Sequence, residues 1–258
     1  MGGLDKVVAV DNAARSVICD PILPPIVRAL PSLSSPKFEP FSLTVGDSLY
    51  VMDAVPRPPN GCASSARAGT GVLSTLLPMC TMTITSPPPP PPLDSYAVVA
   101  GGAGIAVSNN ASAQTFRFDT AGRTWSEAGD WVLPFTRLAD YVPEHKLWFG
   151  ISPAEDGHRF CAANLAASPV VHGLWKEYAQ PPPEWSVAEA YAVHLGSSRF
   201  FSIGEIRVET HDCYKVEGEL QAVVTGVEVQ RCGEELRVLK HKSERYELAL
   251  NVDYRVLC

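Results

Sequence analysis

No stretch of this 258-residue chain holds the roughly 18 consecutive apolar residues that a membrane-crossing helix needs, so none is expected. A basic excess is missing too. The 21 Lys and Arg face 28 Asp and Glu for a formal net charge of −7, whereas nucleic acids and anionic membranes are met by basic surfaces. Neither nucleic acid nor membrane is therefore an expected partner. The opening Met1-Gly-Gly-Leu-Asp-Lys6 lacks the basic-then-apolar layout of a signal peptide. Position 6 is not Ser or Thr, which weakens a myristoylation reading of Gly2, and Cys258 stands last rather than four from the end, which excludes prenylation. The seven cysteines (19, 62, 80, 161, 213, 232 and 258) are odd in number and not closely paired, so reduced thiols are expected. Together these absences predict an intracellular protein, cytoplasmic or nuclear, in which the Asn110-Ala-Ser112 sequon is idle.

Motifs that carry chemistry are also scarce. There is no Cys-x-x-Cys, His-Glu-x-x-His, Gly-x-Ser-x-Gly or phosphate loop. Gly101-Gly-Ala-Gly104 is glycine-rich but lacks the third glycine and following helix of a dinucleotide site. In His211-Asp212-Cys213, Asp212 points away from the other two on an extended chain, and a polar loop outweighs a catalytic site. Glu144-His145 falls on a hairpin turn and is expected to be solvated. His158 and Cys161 are expected on opposite sides of a strand, which separates them as metal ligands. The basic run Lys240-His-Lys242 with Arg245 reads as a solvated outer edge rather than a phosphate contact. No catalytic, cofactor-binding or metal-binding residue is assigned, and no cofactor is expected.

What is present is a strand grammar. Tyr96-Ala-Val-Val-Ala-Gly-Gly is an apolar strand ending in Gly101-Gly102. Thr115-Phe-Arg-Phe-Asp119 is a second, followed by Thr-Ala-Gly122, then Trp125, then the exit Trp131-Val-Leu-Pro134. Glycine pairs allow positive φ and close backbone approach. In Asp119-Thr-Ala-Gly122 the aspartate bonds the turn backbone, and Gly122 is expected to take the left-handed conformation. Trp125 offers a large apolar face for packing between sheets. This order matches one blade of a kelch-type β-propeller, a four-stranded sheet repeating at about 50 residues.

Other segments echo it. Asn164 stands 45 residues after Asp119, and Trp175 stands 50 after Trp125. Asp140–Gly150 reads as two strands around Pro143-Glu-His-Lys146, and Ala190–Phe201 as a hairpin around Gly196-Ser197-Ser198. Strands follow at Leu220–Val229 and Glu235–Lys240. Upstream, Phe41–Met52 is a hairpin with a Gly46-Asp47 turn, and Lys6–Asp11 pairs with Arg15–Asp20. No segment keeps a helical period over a dozen residues.

Proline is abundant, 23 of 258 against a typical share of about 5%, and much of it stands between strand pairs where no ladder bond is lost. The pattern breaks between Arg57 and Leu93. There Asn60–Gly71 is predicted to lack regular structure, and Pro87–Pro92 to be an extended connector rather than a ligand for an SH3-like or WW-like partner. The expected architecture is a single all-β domain over 1–258, a kelch-like β-propeller of about five blade-like units, some incomplete, with an irregular Pro/Gly/Ser-rich insert at about 57–93. Lys6–Asp11 is expected to close the ring by joining the sheet that contains 220–248.

Thr115-Phe-Arg-Phe-Asp-Thr120, Gly129-Asp-Trp-Val-Leu-Pro-Phe135, Tyr141-Val-Pro-Glu144, Leu147-Trp-Phe-Gly-Ile-Ser152 and Val224-Thr-Gly-Val-Glu-Val229 with Lys240–Tyr246 together resemble a large, cereal-expanded plant family of kelch-like proteins. That family is catalogued as a domain of unknown function. The resemblance implies a propeller-like fold and no assigned activity, so it transfers no functional residue. A non-enzymatic protein-interaction module with an unidentified protein partner is the expected function. A substrate-recognition subunit of a ubiquitin ligase, its F-box on another chain, and a propeller enzyme such as a kelch-fold oxidase are the alternatives.

Overall fold

The computed structural model describes residues 7–11, 13–20, 26–33, 37, 40–46, 48–55, 62–67, 70–76, 92–165, 169–175, 185–212 and 215–248. Among these residues the chain is all-β, with 19 strands and two single-turn 3-10 segments at Ala100–Gly102 and Ala154–Asp156. It divides into two compact units. The first takes the described residues up to Asp94 together with Val98–Val132, and the second takes Ser95–Ala97 and the residues from Leu133 onward.

In the first unit β1 (Val7–Val10), β2 (Ser16–Asp20) and β3 (Ile26–Leu30) form an antiparallel sheet in chain order. The β1–β2 connection is held by Asp11, whose carboxylate accepts the Ala13 and Arg15 backbone N–H groups at 3.0 and 2.8 Å and the Arg15 side chain at 2.6 Å. The Arg15 backbone bond is the largest cause holding that carboxyl below its usual pKa. Ala14, at φ 64°, turns inward and is buried with Leu33 and Val51.

β4 (Pro40–Val45), β5 (Ser48–Asp53), β6 (Cys62–Arg67) and β7 (Thr70–Leu76) form the next sheet, again in chain order and antiparallel. Gly46, at φ 57°, makes the expected hairpin turn. Strands β6 and β7 correct the expectation of an irregular Asn60–Gly71. Small residues are weak strand formers, but the open edge of β5 offers backbone donors and acceptors that Cys62–Arg67 satisfies whatever its side chains. The proline run at 87–91 lies outside the described residues, and the Pro92 carbonyl accepts the Asn109 amide at 2.5 Å.

β8 (Ser95–Val99) leads through a turn with positive φ at Ala100, Gly101 and Gly102 into β9 (Gly104–Asn109), followed by β10 (Gln114–Asp119) and β11 (Thr124–Gly129). β10 lies antiparallel between β9 and β11. The Gly122 N–H donates to Asp119 Oδ1 at 2.5 Å, as the turn chemistry predicts. The left-handed residue is however Arg123, at φ 54°, and not Gly122. β1 is also not a closing strand: it is an edge of its three-stranded sheet, its apolar run being used against Ser16–Cys19.

The second unit begins with Ser95–Ala97 of β8, which pairs in parallel with Arg137–Ala139 of β12 (Thr136–Val142). β13 (Leu147–Ile151), β14 (Phe160–Ala163) and β15 (Val171–Trp175) continue the sheet antiparallel. β16 (Trp185–Gly196), β17 (Arg199–Asp212), β18 (Lys215–Cys232) and β19 (Glu235–Leu248) make a four-stranded meander of long strands. Its turn at Gly196, Ser197 and Ser198 has positive φ at all three positions. Val142, Phe149, Ile151, Phe160 and Ala162 from the first sheet and Ala190, Phe200, Val227 and Val229 from the meander bury one another in a common core. The interleaved Phe149, Phe160 and Phe200 rings, 5.0–6.0 Å apart, dominate it.

Trp125 and Trp175 occupy matching places, the fourth strand of the β8–β11 and β12–β15 runs. Both are half-buried rather than largely buried, because β11 and β15 are outer strands. Trp125 tilts on Phe118 at 5.0 Å, and Trp175 packs beside the aromatic core under the Lys240 ammonium at 5.8 Å.

Candidate functional site

Two backbone irregularities in the second unit bring unlike charges together. β12 loses register with β13 between Thr136 and Asp140, and within that bulge Arg137 takes φ 63°, a conformation non-glycine residues seldom hold. β16 slips against β17 between Val187 and Glu189. The result aims the Arg137 guanidinium at Glu189 Oε2, 2.6 Å away, and lays it over the Tyr191 ring at 5.1 Å. The Tyr191 hydroxyl donates to the same Glu189 oxygen. All three side chains are partly open to solvent.

Glu205 completes the group. It stands directly opposite Glu189 in the β16–β17 ladder, so two carboxylates face one another across adjacent strands. Burial, and then the Glu189 charge, raise the Glu205 pKa, against weaker downward pulls from Arg137 and the Tyr191 hydroxyl. Burial and the bond to Glu189 raise the Tyr191 phenol in turn. Two acids thus share one cation.

Because side chains alternate along a strand, Glu189, Tyr191, Val193 and Leu195 lie on the face that also carries Glu205, Ile203 and Phe201. The opposite face carries the core residues Ala190, Phe200 and Ile206. Leu195 is 47% exposed and Phe201 41%. Val224, opposite Ile203, extends this outward face onto β18, and Tyr246, opposite Ala222, extends it onto β19.

A second set of titratable groups edges the aromatic core. His145 is buried, not solvated as expected, because its turn folds against β18 and the ring packs on Phe149 at 5.6 Å. No hydrogen bond of normal geometry reaches either ring nitrogen. Burial and the Arg231 charge lower its pKa, while the Val229 backbone and Glu144 pull weakly upward. His194 stacks on Phe200 at 4.8 Å with its Nε2 buried and unbonded. Burial also raises the Asp140 carboxyl, which meets the backbone and charge of His194.

Other residues singled out in the sequence do not assemble. Gly101–Gly104 is a turn entering β9. His158, at φ 51°, lies in the turn before β14 and not on a strand face opposite Cys161. Cys213 and the side chains of His211 and Asp212 lie outside the described residues. The basic run is exposed along β19 but engaged: Lys242 pairs with Glu244, His241 lies 3.4 Å from Glu228, and Arg245 covers Trp185 at 4.4 Å. Among the described residues no group of three or more His, Cys, Asp and Glu could hold a metal ion. Arg137, Glu189, Tyr191 and Glu205 were not among the residues that the sequence marks out. One signal exists for the acids, since Glu189 and Glu205 sit eight residues on either side of Ser197, the middle of a legible hairpin turn.

No curated protein matches the chain. A solved structure described as YjhT is 10% identical, with a TM-score of 0.44 over 93% of this chain and 98% of its own. A candidate 6-phosphogluconolactonase from Bacteroides uniformis ATCC 8492 is 12% identical, with a TM-score of 0.44 over 92% of this chain and 82% of its own. Likeness at this level assigns no activity to the chain. The family model described as "Protein of unknown function (DUF1668)" matches residues 3–246, and the chain belongs to that family.

Proposed function

We propose that the protein is a kelch-like propeller of about five blade-like units that works as a non-enzymatic protein-interaction module inside the cell. The observation that carries this reading is the outward face of β16–β19. It exposes Leu195, Phe201 and Tyr246 around Val193, Ile203 and Val224 and bears Glu189 and Glu205 at one end, an apolar centre with a polar margin. Such a composition suits a protein contact better than bulk solvent. The propeller element rests on the 50-residue Trp spacing and on the chain-order meanders β1–β3, β4–β7 and β16–β19, which suit radial repetition, while β8–β11 and β12–β15 are joined through the parallel β8–β12 pair.

Affinity purification of the full chain, with identification of what co-purifies, tests the reading. A Leu195→Glu, Phe201→Glu variant with unchanged melting should lose the partner retained by wild type. Retention by that variant would move the contact off this face, and no specific partner at all would remove the reading. A ubiquitin-ligase substrate receptor is one form this role could take, with a ligase subunit among the captured proteins.

The paired carboxylates favour a second reading, an enzyme on the same scaffold. A glutamate pair with one pKa pushed up is a general acid–base arrangement, with Glu205 as the acid beside Glu189. Glu205→Gln would then abolish turnover of a substrate that wild type converts. A kelch-fold oxidase draws less support, because Tyr191 is joined to Glu189 and Arg137 rather than to imidazoles.

A further inference from the structure

We propose that Glu205, with Glu189, Tyr191 and Ile203 around it, receives a lysine or arginine side chain of the protein partner. This inference rests on the interaction-module reading and names the chemistry that the face recognises.

The two facing acids are unequally provided for. Glu189 is served by the Arg137 guanidinium at 2.6 Å and by the Tyr191 hydroxyl. Glu205 shares that hydroxyl and the pull of the same Arg137 charge, both outweighed by burial and by Glu189, and among the described residues no second cation is drawn to it. Like charges placed directly opposite on neighbouring strands destabilise a sheet, so a second cation at this position would relieve both burial and repulsion.

Geometry narrows the class of cation. Arg137 covers the Tyr191 ring and already neutralises Glu189, leaving too few free oxygens for a hard divalent ion, which takes six or more. Next to the acids on the same face come Ile203, Val193 and the half-open Phe201, an apolar strip that would solvate a small free cation poorly. A charged group on an aliphatic stem fits both parts, with its head on Glu205 and its methylenes along Ile203 and Val193. The charge sense also fits a chain of net charge −7, which favours encounter with basic partners.

The test uses the whole protein and two probes, Nα-acetyl-lysine methylamide and its uncharged norleucine counterpart, followed by backbone amide NMR. The lysine probe should shift the amides of Glu189, Tyr191, Ile203 and Glu205 saturably, and norleucine should not. Glu205→Gln, which keeps the shape and removes the charge, should weaken the lysine probe by at least about tenfold. If that variant fails to fold, wild type titrated at low and high salt takes its place, with affinity falling as salt screens the pair. Absence of saturable shifts, equal response to norleucine, undiminished binding by Glu205→Gln or salt-independent affinity would each overturn the proposal. Failure of the parent reading looks different. A partner captured equally well by Glu205→Gln would keep the interaction module and remove this site, whereas lysine binding with no partner captured would do the reverse.

Discussion

Arg231 acts on His145 twice: its guanidinium donates to the His145 carbonyl at 3.1 Å, and its charge adds to burial in lowering the pKa of the imidazole. The bond docks the β12–β13 turn onto the end of β18, and the same contact makes protonation of the ring unfavourable. Two residues earlier on β18, the Val229 N–H donates to the Ser198 carbonyl at 2.9 Å and ties the β16–β17 turn to the same end of the strand.

A pH dependence follows from the signs. The folded pKa of His145 lies below the ordinary 6.5, so the unfolded chain takes up that proton first. The stabilisation is intact above 6.5 and declines as pH falls from there toward the folded value. Asp140 works in the opposite sense: its raised folded pKa means that stability is regained as pH falls through that value toward 3.8. Melting temperatures of wild type and His145→Phe should therefore converge, or cross in favour of the variant, between about pH 7 and pH 5. Parallel curves would show that His145 is not the responsible group.

Trp125 has a buried indole N–H without a hydrogen-bond partner. Trp125→Phe should leave the melting temperature unchanged or raise it, since the orphan donor costs about 1–3 kcal/mol and the apolar contact with Phe118 is largely kept. Trp125→Ala should cost about 2 kcal/mol, less than a fully buried tryptophan, because the residue is only partly buried. Urea denaturation of both variants checks the order, and a destabilised Trp125→Phe would show that the N–H does find a partner.

Lys37 and Asp53 form an ion pair of 3.2 Å with side chains only 2% and 7% exposed. Asp53→Ala leaves a buried ammonium and should cost about 3–5 kcal/mol. The double variant Lys37→Met, Asp53→Leu should recover most of that loss in the same denaturation experiment. A double variant no better than the single would mean that the site needs the charges for more than mutual compensation.

Gly150 on β13 packs against the fully buried Phe135, whose Cδ1 would lie 2.9 Å from an added Cβ. Gly150→Ala should destabilise the second unit by about 1–3 kcal/mol through overpacking. Phe135→Leu, which removes the opposing ring, should restore part of it. Additive losses in calorimetry would refute the steric explanation.

Cys161 is 1% exposed, and burial with the nearby Asp156 charge pushes its thiol up to about 12. Cys232 is exposed. Iodoacetamide at neutral pH should alkylate Cys232 in the native protein and spare Cys161 until denaturant is added. Native labelling of Cys161 would show that β14 opens locally.

Local chemistry makes much of this protein legible in its sequence. Strands at Tyr96–Val99, Thr115–Asp119 and Leu147–Ile151, the turn at Pro143–Lys146 and the hairpin at Gly196–Ser198 follow from alternation and turn residues, which act over a few positions. The 50-residue interval between Trp125 and Trp175 likewise locates matching strands. Elsewhere the deciding partner lies far along the chain. Cys62–Arg67 is a strand because β5 offers it an open edge, and β1 stays at an edge because β2 takes it instead of the meander. His145, on a turn that reads as solvated, is buried because β18 passes over it with Arg231, 86 residues away. Arg137 meets Glu189 across 52 residues, through two bulges that no local rule announces. Strand and turn propensities are short-range energies that a sequence displays directly. Burial, charge sharing and the meeting of Glu189 with Glu205 depend on which strands pair and in what register, and only the tertiary structure decides that.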